Sequence, residues 1–251
     1  MKTLFMDLET YCETPLSHGT HVYAADAEII IAAYAFDDDP VIVMDLTYFP
    51  ADGPARVNCI EHYIDMAETL IFHNSAFDRT VLRHNGLDIP ASKIHDTMVQ
   101  ALAHSLPGGL GPLGEIMGVP VDQAKSKEGK RLIQLFCKPR PKKQKLRRAT
   151  RETHPTEWAE FLDYARLDIE AMRELHKRLP KWNNTPEERK LWLLDQKIND
   201  RGMQIDMELV HAALAAVDAV CQAADLRPDA ISVKGVSLSD AFGARTVMVA
   251  L

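Results

Sequence analysis

Short apolar runs alternate with longer stretches of helical spacing along most of the chain. Lys2 to Met6 reads as a first strand that ends at Asp7 and Glu9. Glu28-Ile-Ile-Ile-Ala-Ala-Tyr-Ala-Phe36 is rich in β-branched and aromatic residues and predicts a second strand. Asp37-Asp-Asp-Pro40 predicts a turn, and Val41-Ile-Val-Met44 the returning strand. Short connections between these three predict an antiparallel meander. Asp52-Gly-Pro54 breaks the pattern, and Cys59 to Ala67 has helical spacing. Thr69-Leu-Ile-Phe72 is another apolar strand. It runs into His73-Asn-Ser-Ala-Phe-Asp78, where Asn74 or Ser75 can cap a helix that continues through Val81 and Leu82 and stops at Gly86. Lys93-Ile-His95 is strand-like and precedes a helix from Met98 to Ser105.

Gly109-Leu-Gly111-Pro-Leu-Gly114 matches the glycine spacing of a dinucleotide-binding turn. That motif needs a preceding strand and a helix N-terminus aimed at a pyrophosphate. Here the preceding segment reads as a helix and Pro112 intervenes, so a tight interhelical turn leading into Leu113 to Met117 is the expectation. Lys127 to Cys137 can be helical, with Leu132, Ile133, Leu135 and Phe136 for packing. Lys138 to Arg148 has prolines and no period, and reads as a loop. Pro155 and Thr156 open the longest helix, Glu157 to Leu179, stopped by Pro180. Its apolar stripe is Trp158, Phe161, Leu162, Ala165, Ile169, Met172 and Leu175. Tyr164 and Asp168 stand four apart and share a face of it. Thr185-Pro-Glu-Glu188 caps a further helix to about Asp200, and Met207 to Ala224 is helical. Ser232 to Leu251 has no clear plan.

A chain of 251 residues suits one large domain, or a domain of about 180 residues with an appendage. No apolar run reaches the roughly 20 residues of a membrane span, and Met-Lys-Thr-Leu-Phe-Met-Asp meets acid too soon for a signal peptide. Cys12, Cys59, Cys137 and Cys221 are scattered, without a Cys-x-x-Cys pair. This argues against structural zinc and fits a reducing cytoplasm. The net charge of −7 speaks against a polyanionic partner until its distribution is considered. Between Lys125 and Arg151 there are 12 Lys or Arg and one acid, Glu128, a balance of +11; the remainder carries 17 basic and 35 acidic residues, or −18. Such a chain can attract a polyanion at one place and hold cations at another.

Asp7 and Glu9 suggest where the cations go. Side chains alternate along a strand, so these two project from one face with Leu8 on the other. Paired carboxylates repel unless a cation lies between them. Asp-x-Glu recurs at Asp26-Ala-Glu28 and Asp206-Met-Glu208, so the pair needs further ligands to carry weight. Asp78 falls in a first helical turn just after a strand, and Asp168 lies on the late helix with Tyr164 one turn earlier. If strands one and four are neighbours, Asp7, Glu9 and Asp78 converge, and a late helix packed across that end adds Asp168 and Tyr164. Such a cluster favours Mg²⁺ or Mn²⁺. Two ions about 4 Å apart can activate a water and stabilise the leaving oxygen of a phosphodiester. Tyr-x-x-x-Asp also occurs at Tyr34/Asp38 and Tyr48/Asp52; the ordered set of three pieces is what distinguishes Tyr164/Asp168.

Asp7-Leu-Glu9, Asn74-Ser-Ala-Phe-Asp78 and Tyr164-Ala-Arg-Leu-Asp168 together resemble the three motifs of the DEDD 3′–5′ exonuclease superfamily, tyrosine subtype. The likeness is to the proofreading domain of family A (DNA polymerase I-like) polymerases of phages and prophages, over about Lys2 to Pro180. The histidine subtype would need His where Asp163 stands. The resemblance implies an α/β fold, a ribonuclease H-like mixed five-stranded sheet flanked by helices, occupying residues 1–182. It implies that Asp7, Glu9 and Asp168 hold a catalytic Mg²⁺ or Mn²⁺, that Asp7 bridges to a second ion, and that Asp78 holds the second largely through water. Tyr164 would orient or help deprotonate the attacking water, orientation being favoured by a phenol pKa near 10, and Asn74 and Phe77 would contact the 3′-terminal nucleotide. Trp192 to Asp206 resembles the passage from exonuclease into polymerase thumb. Residues 183–251 are therefore expected to be a helical appendage with an irregular tail, cut short of a palm, and polymerase activity is not expected.

The expected activity is 3′–5′ hydrolysis of single-stranded or frayed DNA ends, releasing nucleoside 5′-monophosphates in the cytoplasm. Two alternatives stay open: an idle nucleic-acid-binding remnant of a prophage polymerase, and an RNA-directed exonuclease of the same superfamily. The basic loop, through Lys142, Lys143, Arg147 and Arg148, is expected to contact phosphates. Sequence leaves the oligomeric state open.

Overall fold

The computed structural model describes residues 2–51, 54–119, 123–141, 143–144, 146–223, 232–233 and 236–237. Among them, five strands make one mixed sheet: β1 (Thr3–Tyr11), β2 (Glu28–Phe36), β3 (Ile42–Asp45), β4 (Thr69–Phe72) and β5 (Ile94–Asp96), in the order β3-β2-β1-β4-β5. β1, β2 and β3 pair antiparallel, as their short connections predict. β4 lies parallel to β1, and β5 parallel to β4. The helices are α1 (Thr20–Asp26), α2 (Ala55–Met66), α3 (Ser75–His84), α4 (Thr97–Ala103), α5 (Leu110–Ile116), α6 (Gln123–Phe136), α7 (Pro155–Arg178), α8 (Pro186–Arg201) and α9 (Met207–Ala223). The fold is α/β with helices on both faces of a mixed five-stranded sheet, the ribonuclease H-like arrangement. None of the described helices is long and apolar enough to cross a membrane.

Alternation along β1 divides the core in two. Leu4, Met6 and Leu8 join Tyr34, Phe72, Val57, Ile60, Ile64, Val81 and Leu82 on the α2/α3 side. Phe5 and Tyr11 join Ile31, Ala33, Leu132, Phe136, Trp158, Phe161, Ala165 and Ile169 on the α6/α7 side. Asp7 and Glu9 have the parity of Phe5, so they face the side covered by α7. The first strand is longer than its apolar run implies. It continues through both acids because Asp7, Leu8 and Glu9 pair with Ala33, Ala32 and Ile31 of the long second strand. The ladder satisfies their backbone groups whatever the side chains are. The acid pair therefore sits within the strand rather than at its end. A register shift follows between Glu9 and Thr10.

On its other edge β1 pairs with β4 only over Thr3–Phe5. Beyond Phe5 that edge is open, and α3 starts there. Asp96 at the end of β5 holds the start of α3 in place. Its carboxylate accepts hydrogen bonds from Asn74 N (3.2 Å), Ser75 N (2.7 Å) and Ser75 Oγ (2.7 Å), as well as from Met98 N at the start of α4. Asn74 caps α3 by position, in the left-handed region at φ 76°, without a capping bond from its own side chain. The cap comes from a distant strand instead.

Other motifs acquire local explanations. Gly109 precedes α5, and the glycine pattern runs into that short helix rather than following a strand. Asp206 accepts from Leu209 N at the start of α9. Asp26 accepts from Thr14 Oγ1, and Glu28 pairs with Arg56 and Arg148. The two extra Asp-x-Glu copies are thus a helix cap and part of the packing around β2.

Contacts divide the chain into two compact units, Met1–Leu193 and Leu194–Leu251. The first takes in the opening of α8. There Arg189 donates to the carbonyls of Ala91 and Ser92, and Trp192 packs on the α2/α3 side of the core. The second contains α9 and a short antiparallel pair, Ser232–Val233 with Val236–Ser237. The rest of the tail, from 238 on, lies outside the described residues.

Candidate functional site

Three carboxylates from two distant segments converge over β1. Asp7, Glu9 and Asp168 each present an oxygen within 4.8 Å of the others. Asp168 arrives because the stripe of α7 (Phe161, Ala165, Ile169, Met172) is buried on the sheet, which turns the adjacent positions 164 and 168 toward the strand acids. Asp78 comes from the first turn of α3, where the helix N-terminus favours a negative charge. It is 3% exposed, and its Oδ1 is buried without a hydrogen-bond partner.

The electrostatics are those of negative charge confined away from water. Burial, and then the neighbouring Asp168, push the Asp7 carboxyl up to about 8. Burial raises Asp168 to about 6, opposed by a hydrogen bond from Tyr164. Glu9 is raised well above the carboxylate range by burial, Asp7 and Asp168. Asp78 is likewise raised by burial and by Asp7. Without a counter-charge these groups cannot all ionise. Arg and Lys side chains do not supply one: no salt bridge is formed by any of the four carboxylates among the described residues. An all-oxygen set with an orphaned buried Oδ1 matches the needs of a hard divalent cation, Mg²⁺ or Mn²⁺.

Tyr164 stands one helical turn before Asp168, close enough for its hydroxyl to hold the Asp168 carboxyl down. Burial, reinforced by Asp168 and Glu9, pushes the phenol well above its ordinary value of 10. Its ring lies parallel to that of Phe161, centroids 6.2 Å apart. On the other flank the Cys137 thiol donates to Glu9 Oε2 at 3.7 Å.

A cavity of 410 Å³ opens beside Glu9, lined among others by Leu8, Leu16, Tyr23, Phe77, Cys137 and Lys138. Phe77, singled out in the sequence, is on this wall and tilts against Tyr23. Asn74, also singled out, is exposed at the cap of α3 and is not among the lining residues.

The basic segment divides. Arg148 forms a two-pronged ion pair with Glu28 (2.7 and 3.0 Å) and lies 3.9 Å above the Tyr11 ring. It is a strut between the loop and the sheet. Arg147 donates to the Arg140 carbonyl at 2.6 Å, closing the loop on itself, and is exposed. Lys143 is exposed; Lys142 lies outside the described residues. Lys138, at the start of the same segment, is the basic residue that reaches the cavity. Nothing in the charge run marks Lys138 out, because its distinction is its position one residue after Cys137, which packs on Glu9.

A family profile described as 3′-5′ exonuclease matches residues 17–182. The match includes Asn74, Asp78, Tyr164 and Asp168 and begins after Asp7 and Glu9. The DNA polymerase of Bacillus phage SP02 is 36% identical over an alignment of 227 residues that covers 86% of this chain and 34% of that protein. The chain thus spans about a third of the length of this relative.

Proposed function

The chain belongs to the 3′–5′ exonuclease domains of family A DNA polymerases, and from that premise we propose that it removes nucleotides one at a time from DNA 3′ ends, releasing nucleoside 5′-monophosphates. The observation that carries this reading is the convergence of Asp7, Glu9 and Asp168 with the unpartnered Oδ1 of Asp78 beside them. We assign residues 1–182 to the nuclease and 183–251 to a helical appendage. DNA is preferred to RNA as substrate because the phage relative is a DNA polymerase.

In this reading Asp7, Glu9, Asp168 and Asp78 would hold Mg²⁺ or Mn²⁺, which would neutralise the carboxylates and supply Lewis-acid activation of a water and stabilisation of the leaving 3′ oxygen. Tyr164 keeps its proton at neutral pH, since its phenol is raised above 10. It therefore orients a water and a phosphate oxygen by hydrogen bonding and does not act as a base. The cavity beside Glu9 is large enough for a terminal nucleoside, with Leu8, Leu16 and Phe77 offering apolar surface to the base. Lys138 at its wall supplies positive charge to the phosphate.

The test is a 5′-labelled single-stranded oligonucleotide incubated with Mg²⁺. A ladder of shortened products is expected, with none from Asp7→Ala. An intact oligonucleotide under both Mg²⁺ and Mn²⁺, or a ladder that survives Asp7→Ala, would sink the proposal. An RNA oligonucleotide of the same sequence in parallel reports the preference for sugar.

A further inference from the structure

Gly129 lies in the middle of α6, buried and in ordinary helical geometry. Glycine is the weakest helix former after proline, and no left-handed backbone angle requires it here. Space does. A Cβ at this position would stand 2.8 Å from Cδ2 and 2.9 Å from Cζ of Tyr164, and closer still to Cε2. Separations under 3.0 Å are not tolerated by real side chains. The backbone of α6 is therefore seated directly on the ring of Tyr164, whose hydroxyl neighbours the Asp168 carboxyl.

Neither partner can easily withdraw. α6 is fastened to α7 by Phe136, whose ring lies 4.9 Å from that of Trp158 and 5.4 Å from that of Phe161, all three buried. Arg131 adds ion pairs to Glu128 and, at 3.0 Å, to Glu160. With the helix so anchored, an added methyl group displaces the tyrosine ring. Phe161 stands parallel to the ring, centroids 6.2 Å apart, and a displaced ring turns its hydroxyl away from Asp168.

We propose that Gly129 is a positioning residue: its missing side chain lets α6 fix the Tyr164 ring in the orientation that aims the hydroxyl at the metal-binding carboxylates. The inference rests on the exonuclease reading for its catalytic consequence, and on geometry alone for its structural one.

Two measurements on Gly129→Ala separate these. The protein carries six tyrosines, so 3-fluorotyrosine labelling gives a resolvable ¹⁹F spectrum in which the Tyr164 resonance is the one lost in Tyr164→Phe. In Gly129→Ala that resonance should move while the others stay. In Gly111→Ala, where a Cβ meets nothing within 4 Å, no resonance should move. On an oligonucleotide with Mg²⁺, kcat should fall by about 10²-fold, the usual effect of displacing a positioned group by an ångström, with KM little changed. Gly129→Ala should add nothing further in a Tyr164→Phe background. An unmoved Tyr164 resonance overturns the proposal whether or not the protein is a nuclease. A moved resonance with full activity overturns the catalytic half. If Gly129→Ala folds poorly, Tyr164→Ala in the same chain should restore folding by removing the ring; failure to restore it also counts against the proposal.

Discussion

An oxygen of Asp168, on the long helix α7, stands within 4.8 Å of one from Asp7 on β1. Two acids far apart in the chain are pressed together without a basic partner among the described residues, and burial holds both above their ordinary range. The arrangement costs stability and has value only with a cation present.

Removing one charge should therefore stabilise the cation-free protein while disabling it. Asp168→Asn, measured at pH 8 in EDTA, is expected to raise Tm by about 2–4 °C, the shift that roughly 1 kcal/mol produces in a chain of this size. Nuclease activity should drop by about 10²–10³-fold. Thermal unfolding and a timed digest check the pair of outcomes, and a lower Tm would contradict the repulsion argument.

The same repulsion sets the pH dependence. Asp168 and Asp7 titrate in the folded chain at about 6 and about 8, against roughly 3.9 when unfolded. Between those limits the native state holds more protons than the unfolded one, so stability falls as pH rises. In EDTA, Tm should decline between about pH 4 and 8 through these groups. Added Mn²⁺ should raise Tm more at pH 8 than at pH 6, because binding at the lower pH must first displace protons. An Mn²⁺ shift that does not depend on pH would show that the carboxylates are ionised without the metal.

The basic residues should separate by function. Lys138→Ala is expected to weaken binding of a single-stranded oligonucleotide and to reduce the slope of log K against log salt by about 0.7, the value for one phosphate contact on a single strand. Arg148→Ala should leave that slope alone, since its guanidinium is held by Glu28 and Tyr11. A fluorescence-anisotropy titration at several salt concentrations with a catalytically dead Asp7→Ala background reads both.

Glu28 gathers Arg56 and Arg148 from opposite sides of β2. Arg56 is nearly buried, so losing its partner leaves a charge poorly solvated, whereas the more exposed Arg148 pair counts for less. Glu28→Gln should destabilise the protein by about 1–3 kcal/mol in a urea titration, with the activity of the folded fraction retained. Loss of activity without loss of stability would place Glu28 in the reaction instead.

Much of this architecture is legible in the sequence. The alternation in Glu28–Phe36, the apolar run Thr69–Phe72 and the stripe of the long helix each reflect a local period that burial imposes on sequence. The order Asp7/Glu9, Asn74/Asp78, Tyr164/Asp168 was legible for a related reason: each pair needs a fixed spacing on a strand or a helix face. Other features were not legible. α1 is short and follows Pro15 and Gly19, so no local period announces it. β1 looked too short because acids seemed to end it, whereas its length is set by β2. Arg148 looked like its neighbours in the charge run until the fold put Glu28 beside it.

Most of the elements, the charge segregation and the acids are legible along the chain, since these depend on residues close together in it. Packing sets β4 parallel to β1, lays α7 across the acid-bearing face, and brings α6 onto Tyr164 through Gly129. Those are contacts between segments far apart in sequence. No local period encodes them, because a glycine or an arginine acquires its role from whatever packing brings against it.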